Sequence, residues 1–249
     1  MNLLLFENSD RMQTLTHGDP RLDHIRKVLR RNEGDIFDVG ALNGPCGKAT
    51  ILKDDSGGMI LQIEWGEEPP PLFPIEILVG LPRPQTARKI LRESTSLGVA
   101  AIHFFQSEKS EPSYAASKLW SSGEWRRHLL QGAEQAFTTR IPDVRHRDSL
   151  SASIQYLDKK RASGQRLALD LYESTIALPS VKLTKLHCTL AIGADRGWSA
   201  AERQTLWASG FTLVNLGERV LRTETACVAA ISLVAAGMGL MQVWRSANR

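Results

Sequence analysis

Cysteine is scarce in this chain of 249 residues: Cys46, Cys188 and Cys227 stand singly, with no CxxC spacing. That excludes a disulfide framework and leaves no thiolate pair for zinc, so the three read as buried thiols. No apolar run approaches the roughly 18 residues of a membrane helix. The opening MNLLLFENSDR lacks the basic region and small-residue cleavage site of a secretory leader. The expectation is a cytoplasmic protein that does not enter a membrane. Common nucleotide signatures are missing too, with neither a GxGxxG opening a helix nor a GxxxxGK[ST] loop, which removes the Rossmann and P-loop readings. GxSxG and HExxH are absent, so serine-hydrolase and zincin chemistry have no support. No internal repeat or low-complexity tract stands out.

What is present is the composition of a globular protein, 42% hydrophobic and 23% charged, in a length that suits a small domain followed by one of ordinary size. A net charge of +4 and a pI near 9.1 are compatible with a polyanionic partner. The kind of cation says more than the total. Of 31 basic residues, 21 are arginine, whose planar fork grips phosphate through two bonds and stacks on bases. Nucleic acid therefore ranks above a membrane surface.

Residues 1–65 read as a β-rich module, with strand patterns at Leu3–Phe6, Asp35–Val39, Ala49–Leu52 and Met59–Trp65 between Gly, Asn and Asp clusters. One helix interrupts them at Asp19–Arg31, where Leu22, Ile25, Val28 and Leu29 share an apolar face. His24, Lys27 and Arg31 fall on another face. With Arg26 and Arg30 they crowd five basic or imidazole groups into eight residues, a candidate phosphate-binding stripe. A solvated helix face is the plainer alternative. The proline-rich stretch Gly66–Pro74 is an expected extended spacer and domain boundary.

Beyond it, apolar runs alternate with helical patterns: strands at Ile75–Leu81, Val99–Gln106, Arg166–Leu171, Leu186–Ile192 and Phe211–Leu216, helices at Pro84–Leu97, Ser122–Thr139, Ala200–Ser209 and Glu224–Gly239. Continuous apolar strands between helices predict a parallel sheet covered on both faces. Pro84 suits a first helical turn, Gly98 a helix end, Ser199 to Glu202 a capping box, and Thr223 the cap of the last helix. That last helix carries apolar residues around nearly its whole circumference, as expected where a partner subunit covers one side.

Three turns follow strands in the C-terminal third: Leu169 to Tyr172, Gly193 to Gly197, and Leu216-Gly217. Ligands collect at the carboxyl ends of parallel strands, so the three turns can form one site. Read alone, they are also what ordinary turns look like. The stretch Leu216-Gly-Glu-Arg-Val-Leu-Arg-Thr-Glu-Thr-Ala226 is the most distinctive. Its two arginines and two acids lead into a helix N-terminus, where a solvated, well-capped helix is the competing reading.

Read as LGxRxLRTETA, that stretch resembles the signature of the RsmE family of 16S rRNA uridine N3-methyltransferases in the SPOUT superfamily. His24-Ile-Arg-Lys-Val-Leu-Arg30 is similar to the family's H-x-x-x-VLR segment, and Ser94-Thr-Ser-Leu-Gly-Val99 to ST-E-LGV. Gly132-Ala-Glu-Gln135 with Arg140 and Pro142 resembles EA-x-EQ-x-x-R-x-x-P. The resemblance implies an α/β fold with two domains, a small PUA-like β-barrel that binds RNA (residues 1–68) and a SPOUT methyltransferase domain with a C-terminal trefoil knot (residues 74–245). It further implies S-adenosyl-L-methionine as cofactor, held mainly by backbone groups of the knot turns, with Leu169, Ile192, Gly193, Gly197, Leu216, Gly217, Val220, Leu221 and Thr225 as binding positions. A homodimer through the C-terminal domain, a 16S rRNA or small-subunit substrate, and no metal complete the expectation. Arg222 and Glu224 are the candidate catalytic pair, Arg222 facing RNA and Glu224 accepting a proton or orienting it. His24, Arg26, Lys27, Arg30, Arg31 and Arg140 are the candidate RNA contacts.

Two positions depart from the family pattern. Ala194-Asp195-Arg196 stands inside the turn where the family has GPEGG, and Ser96 stands where it has Glu. If the turn needs a positive φ at position 196, arginine there is strained by about 1 kcal/mol or more. The departures keep a second function open, a SPOUT-fold RNA-binding or ribosome-assembly protein with weakened or lost methyl transfer. A third, an unrelated α/β metabolic enzyme, would be favoured by failure to bind RNA.

Overall fold

A computed structural model of the protein describes residues 3–159, 164–183 and 186–241. The fold is α/β, with two sheets in two compact units, Met1–Pro71 with Leu130–Ile141, and Leu72–Leu129 with Pro142–Arg249. The first unit thus takes in Leu130–Ile141, a stretch that the sequence assigns to the second domain.

In the first unit, β1 (Leu4–Phe6), β2 (Met12–Thr16), β3 (Ile36–Ala41), β4 (Cys46–Asp55) and β5 (Gly58–Trp65) form a half-barrel in the order β1-β3-β4-β5-β2. Strand β2 goes unrecognised in the sequence because MQTLT lies at an edge and buries Leu15 alone. The helix α1 (Pro20–Asp23) starts at Asp19, whose carboxylate accepts from the Arg21 N–H at 2.9 Å. It continues as one π-helical stretch, His24–Leu29, which ends at Arg30 with φ 53°. The wider turn explains a corrected detail of the predicted apolar face. Ile25 is fully buried and Leu29 packs on the core, but Val28 is 64% exposed, because in the wider winding of a π-helix a side chain three positions on no longer lies above Ile25. The core beneath, with Leu4, Phe6, Leu15, Phe37, Ile51 and Leu61, holds the unit together at about 1.5–3 kcal/mol for each large side chain removed from water.

The second unit carries an all-parallel sheet of β6 (Phe73–Gly80), β7 (Val99–Phe105), β8 (Asp143–Arg147), β9 (Gln165–Leu169), β10 (Cys188–Ile192) and β11 (Thr212–Val214), in the order β11-β9-β10-β6-β7-β8. Its helices are α2 (Pro84–Ser96), α3 (Lys118–Ser121), α4 (Glu124–Ala136), whose last residues belong to the first unit, α5 (Leu150–Lys159), α6 (Ala200–Ala208) and α7 (Thr223–Gly237). The parallel sheet matches the expectation from uninterrupted apolar strands. Strand β8 and helix α5 are absent from the sequence reading, since DVRHR is an edge strand with no apolar run. Cys188 and Cys227 are buried thiols, and burial pushes Cys188 up to about 12. Cys46 is only half-buried. Among the described residues, no helix is long and apolar enough to cross a membrane.

Candidate active site

The sheet order positions the site. Strand β10 inserts between β6 and β9, and β11 lies outside β9, so the carboxyl ends of β9, β10 and β11 are neighbours. Each end sends a turn over the same cavity of about 240 Å³, as the crevice rule for parallel sheets expects. Leu169, Ile192, Gly193, Gly197, Leu216, Gly217, Val220 and Leu221 all line it. Thr225 does not; it is exposed on the first turn of α7.

The turns are rigid for identifiable reasons. Asp170, at the end of β9, has a side chain only 1% exposed and is bound by the Arg203 guanidinium. Its Oδ1 also accepts from the backbone N–H groups of Tyr172 at 2.8 Å and Glu173 at 3.3 Å. The Trp198 indole N–H donates to the Leu169 carbonyl at 2.7 Å, and its ring stacks on Phe105. The loop after β9 runs beside the end of β11, with Asn215 donating to Ile176 at 2.9 Å and Leu178 to Asn215 at 2.8 Å. In the third turn, Gly217 adopts φ 95°, and its N–H donates to the Asn215 side chain at 3.1 Å.

The turn of Gly193 to Gly197 removes the anticipated strain. Gly197 takes the left-handed position at φ 70°, while Arg196 is not among the residues of positive φ. A Cβ at Gly193 would lie 3.1 Å from the Gly197 backbone, so alanine there would require the turn to give by a few tenths of an ångström. Asp195 accepts from the Thr223 hydroxyl at 2.9 Å, tying this turn to the start of α7. Thr223 is therefore not the helix cap predicted from the sequence. Arg222 occupies that position with extended backbone, and Thr223 is the first helical residue.

Arg222 is exposed between the lining residues Leu221 and Thr223, and does not itself line the cavity. Glu224 forms an ion pair with Lys89 of α2 at 3.0 Å. Burial opposes its ionisation, but the bond from Lys89, its own backbone N–H and the charges of Lys89 and Arg222 outweigh that and hold the carboxyl below its usual range. A carboxylate so stabilised is a weak proton acceptor. The basic residues of the first unit fall into two groups. Arg26 is tied to the Asp54 carboxylate and the Asp55 carbonyl, and Arg140 to Glu68 at 2.8 Å and the Pro69 carbonyl at 3.2 Å. Lys27, Arg30 and Arg31 are exposed and His24 half-buried, Lys27 with an exposed contact to Asp23 at 3.1 Å.

Sequence reasoning missed the Asp170–Arg203 pair, Trp198 and the Asp195–Thr223 link. Asp170 follows an apolar strand and Arg203 follows the capping box at Ser199, which forms as expected, with both reciprocal bonds. Only the topology shows that these two segments meet.

A family model described as "RNA methyltransferase domain" matches residues 68–235. The ribosomal RNA small subunit methyltransferase E of Treponema pallidum is 35% identical over 95% of this chain and 91% of its own length. The ribosomal RNA small subunit methyltransferase E 1 of Borreliella burgdorferi is 27% identical over 94% and 98%. Among solved structures, the ribosomal RNA small subunit methyltransferase E of Neisseria gonorrhoeae bound to S-adenosyl methionine superposes with a TM-score of 0.77, at 24% identity over 95% of this chain and 97% of that one, a likeness of fold.

Proposed function

The chain belongs to the ribosomal RNA small subunit methyltransferase E family, and from that premise we propose that it transfers a methyl group from S-adenosyl-L-methionine to N3 of a uridine in 16S rRNA, in the cytoplasm. One observation carries the reading: turns from three neighbouring strand ends converge on a single cavity beside the helix start that bears Arg222.

The cavity suits the cofactor chemically. Leu169, Ile192 and Val220 offer apolar wall to flat and aliphatic parts, and Gly193 and Gly217 leave backbone polar groups open to close approach. When bound, the cofactor supplies a methyl group on a sulfonium. This chain's part is to orient and to balance charge. Loss of the N3 proton to solvent water leaves negative charge on the uracil oxygens, and the exposed Arg222 guanidinium offsets it or grips a neighbouring phosphate. Glu224, ionised and paired with Lys89, contributes negative charge near Arg222 without forming an ion pair with it.

The proposal extends to the whole chain. Residues 1–68 act as a PUA-like RNA-binding domain through His24, Lys27, Arg30 and Arg31, while Arg26 and Arg140 shape its surface through their acid partners. Residues 74–245 act as a SPOUT domain. In support of its trefoil knot, β10 is inserted between β6 and β9, and the segment after β9 pairs with Asn215 at the end of β11. A homodimer through α7 is supported by the exposure of Leu233 on a helix whose opposite side, with Cys227, Ile231 and Val234, is fully buried.

Calorimetry of the purified protein with S-adenosyl-L-methionine and S-adenosylhomocysteine tests the cofactor site. Both bind on this account; a protein that binds small-subunit rRNA but neither ligand supports the RNA-binding reading instead.

A further inference from the structure

Tyr172 stands out among the cavity residues. It is 77% exposed, yet it lines the cavity at the end of β9. Its ring has no aromatic or cationic partner among the described residues. An exposed tyrosine on a loose loop would call for no explanation. This one sits on a turn fixed from beneath: the Asp170 carboxylate binds the Tyr172 and Glu173 N–H groups, the Ser174 hydroxyl donates to the Asp170 carbonyl, and Arg203 neutralises Asp170 while reaching Glu173 at 3.4 Å. Placing a carboxylate in a nearly inaccessible position costs free energy, which the guanidinium and the two N–H groups offset. The result is an aromatic ring presented to solvent from a turn whose backbone is hydrogen-bonded beneath it.

The same cavity carries Arg196 and Arg219, both exposed, with no acidic partner among the described residues. An unpaired ring beside two free guanidinium groups matches what a single RNA strand offers, a base face and its phosphates. We infer that Tyr172 is a stacking platform for an unpaired RNA base at the mouth of the site, with Arg196 and Arg219 holding the adjoining phosphates. The inference rests on the methyltransferase reading of the cavity and adds the residue that captures the strand. Methylating N3, which lies on the pairing edge of uracil, requires that base to leave any pair and stack it makes. An aromatic face that replaces a lost stacking neighbour lowers the cost of that step.

The test compares Tyr172→Phe and Tyr172→Ala with the unaltered protein, measuring affinity for small-subunit rRNA in the presence of S-adenosylhomocysteine, affinity for S-adenosyl-L-methionine, melting temperature and oligomeric size. Tyr172→Ala is expected to weaken RNA binding about ten- to a hundredfold, the worth of one stacked base. Tyr172→Phe keeps the stack and should bind nearly as the unaltered protein does. Cofactor affinity, melting temperature and size should not change. Unchanged RNA affinity in Tyr172→Ala overturns the inference. So does a matching loss of cofactor affinity, which would make the ring a platform for the adenine, or a change of oligomeric size, which would make it an interface residue. Methyl transfer by the unaltered protein in parallel keeps the two readings apart: its absence rejects the activity, whereas RNA affinity alone decides the role of Tyr172.

Discussion

Arg222 is the exposed cation at the start of α7, beside the cavity. It caps α7 through its backbone, and its guanidinium has no ion-pair partner among the described residues, Glu224 being bound to Lys89. Truncation should therefore leave folding and cofactor binding almost untouched. Arg222→Ala is expected to keep its melting temperature and cofactor affinity while kcat falls by about a hundredfold or more, the usual cost of losing a preorganised charge donor. A clearly lowered melting temperature with near-normal turnover would make Arg222 a structural residue. Arg196 allows a test of opposite character. Because Gly197 absorbs the left-handed conformation of the turn, replacing Arg196 by glycine relieves no strain and only loosens the unfolded chain. Arg196→Gly should destabilise by about 0.5–1 kcal/mol. Thermal unfolding that shows a stabilised variant would mean the arginine is strained after all.

At the scale of elements, the sequence was legible where one principle acted alone. The apolar runs that became β6, β7 and β10 announced a parallel sheet because each is buried on both faces, and the capping box at Ser199 formed with the partners its spacing implied. Edge strands were illegible. MQTLT and DVRHR bury too few side chains to show a period of two, and their strand character comes from pairing with β5 and β7. The π-helical turn after Asp23 was hidden for another reason: a strip read at 3.6 residues per turn placed Val28 inside, and only the wider winding turned it out. In the site, the lining glycines and leucines could be read from turns after strands. The buried pair of Asp170 and Arg203, and the bond between Asp195 and Thr223, depend on segments about 30 residues apart meeting across the sheet, which periodicity cannot express.

On the scale of the whole molecule, the proposed function draws on two features, the exposed basic residues of the first unit and the cavity in the second. If those residues act through charge, each phosphate they neutralise adds to the salt dependence of RNA affinity. Lys27→Ala combined with Arg31→Ala should weaken rRNA binding and flatten the slope of log affinity against log salt by up to about 2; an unchanged slope would return those residues to the solvated face of their helix. Neither this nor the cofactor experiment identifies the product. The most direct measurement incubates the purified protein with S-adenosyl-L-methionine carrying an isotopic methyl group and small ribosomal subunits lacking the modification, then digests the 16S rRNA to nucleosides for mass spectrometry. Label is expected in N3-methyluridine, at no more than about one per 16S rRNA, and formed at least about a hundredfold more slowly by Arg222→Ala. Label in any other nucleoside, or none from a protein that binds both cofactor and RNA, would contradict the proposed function.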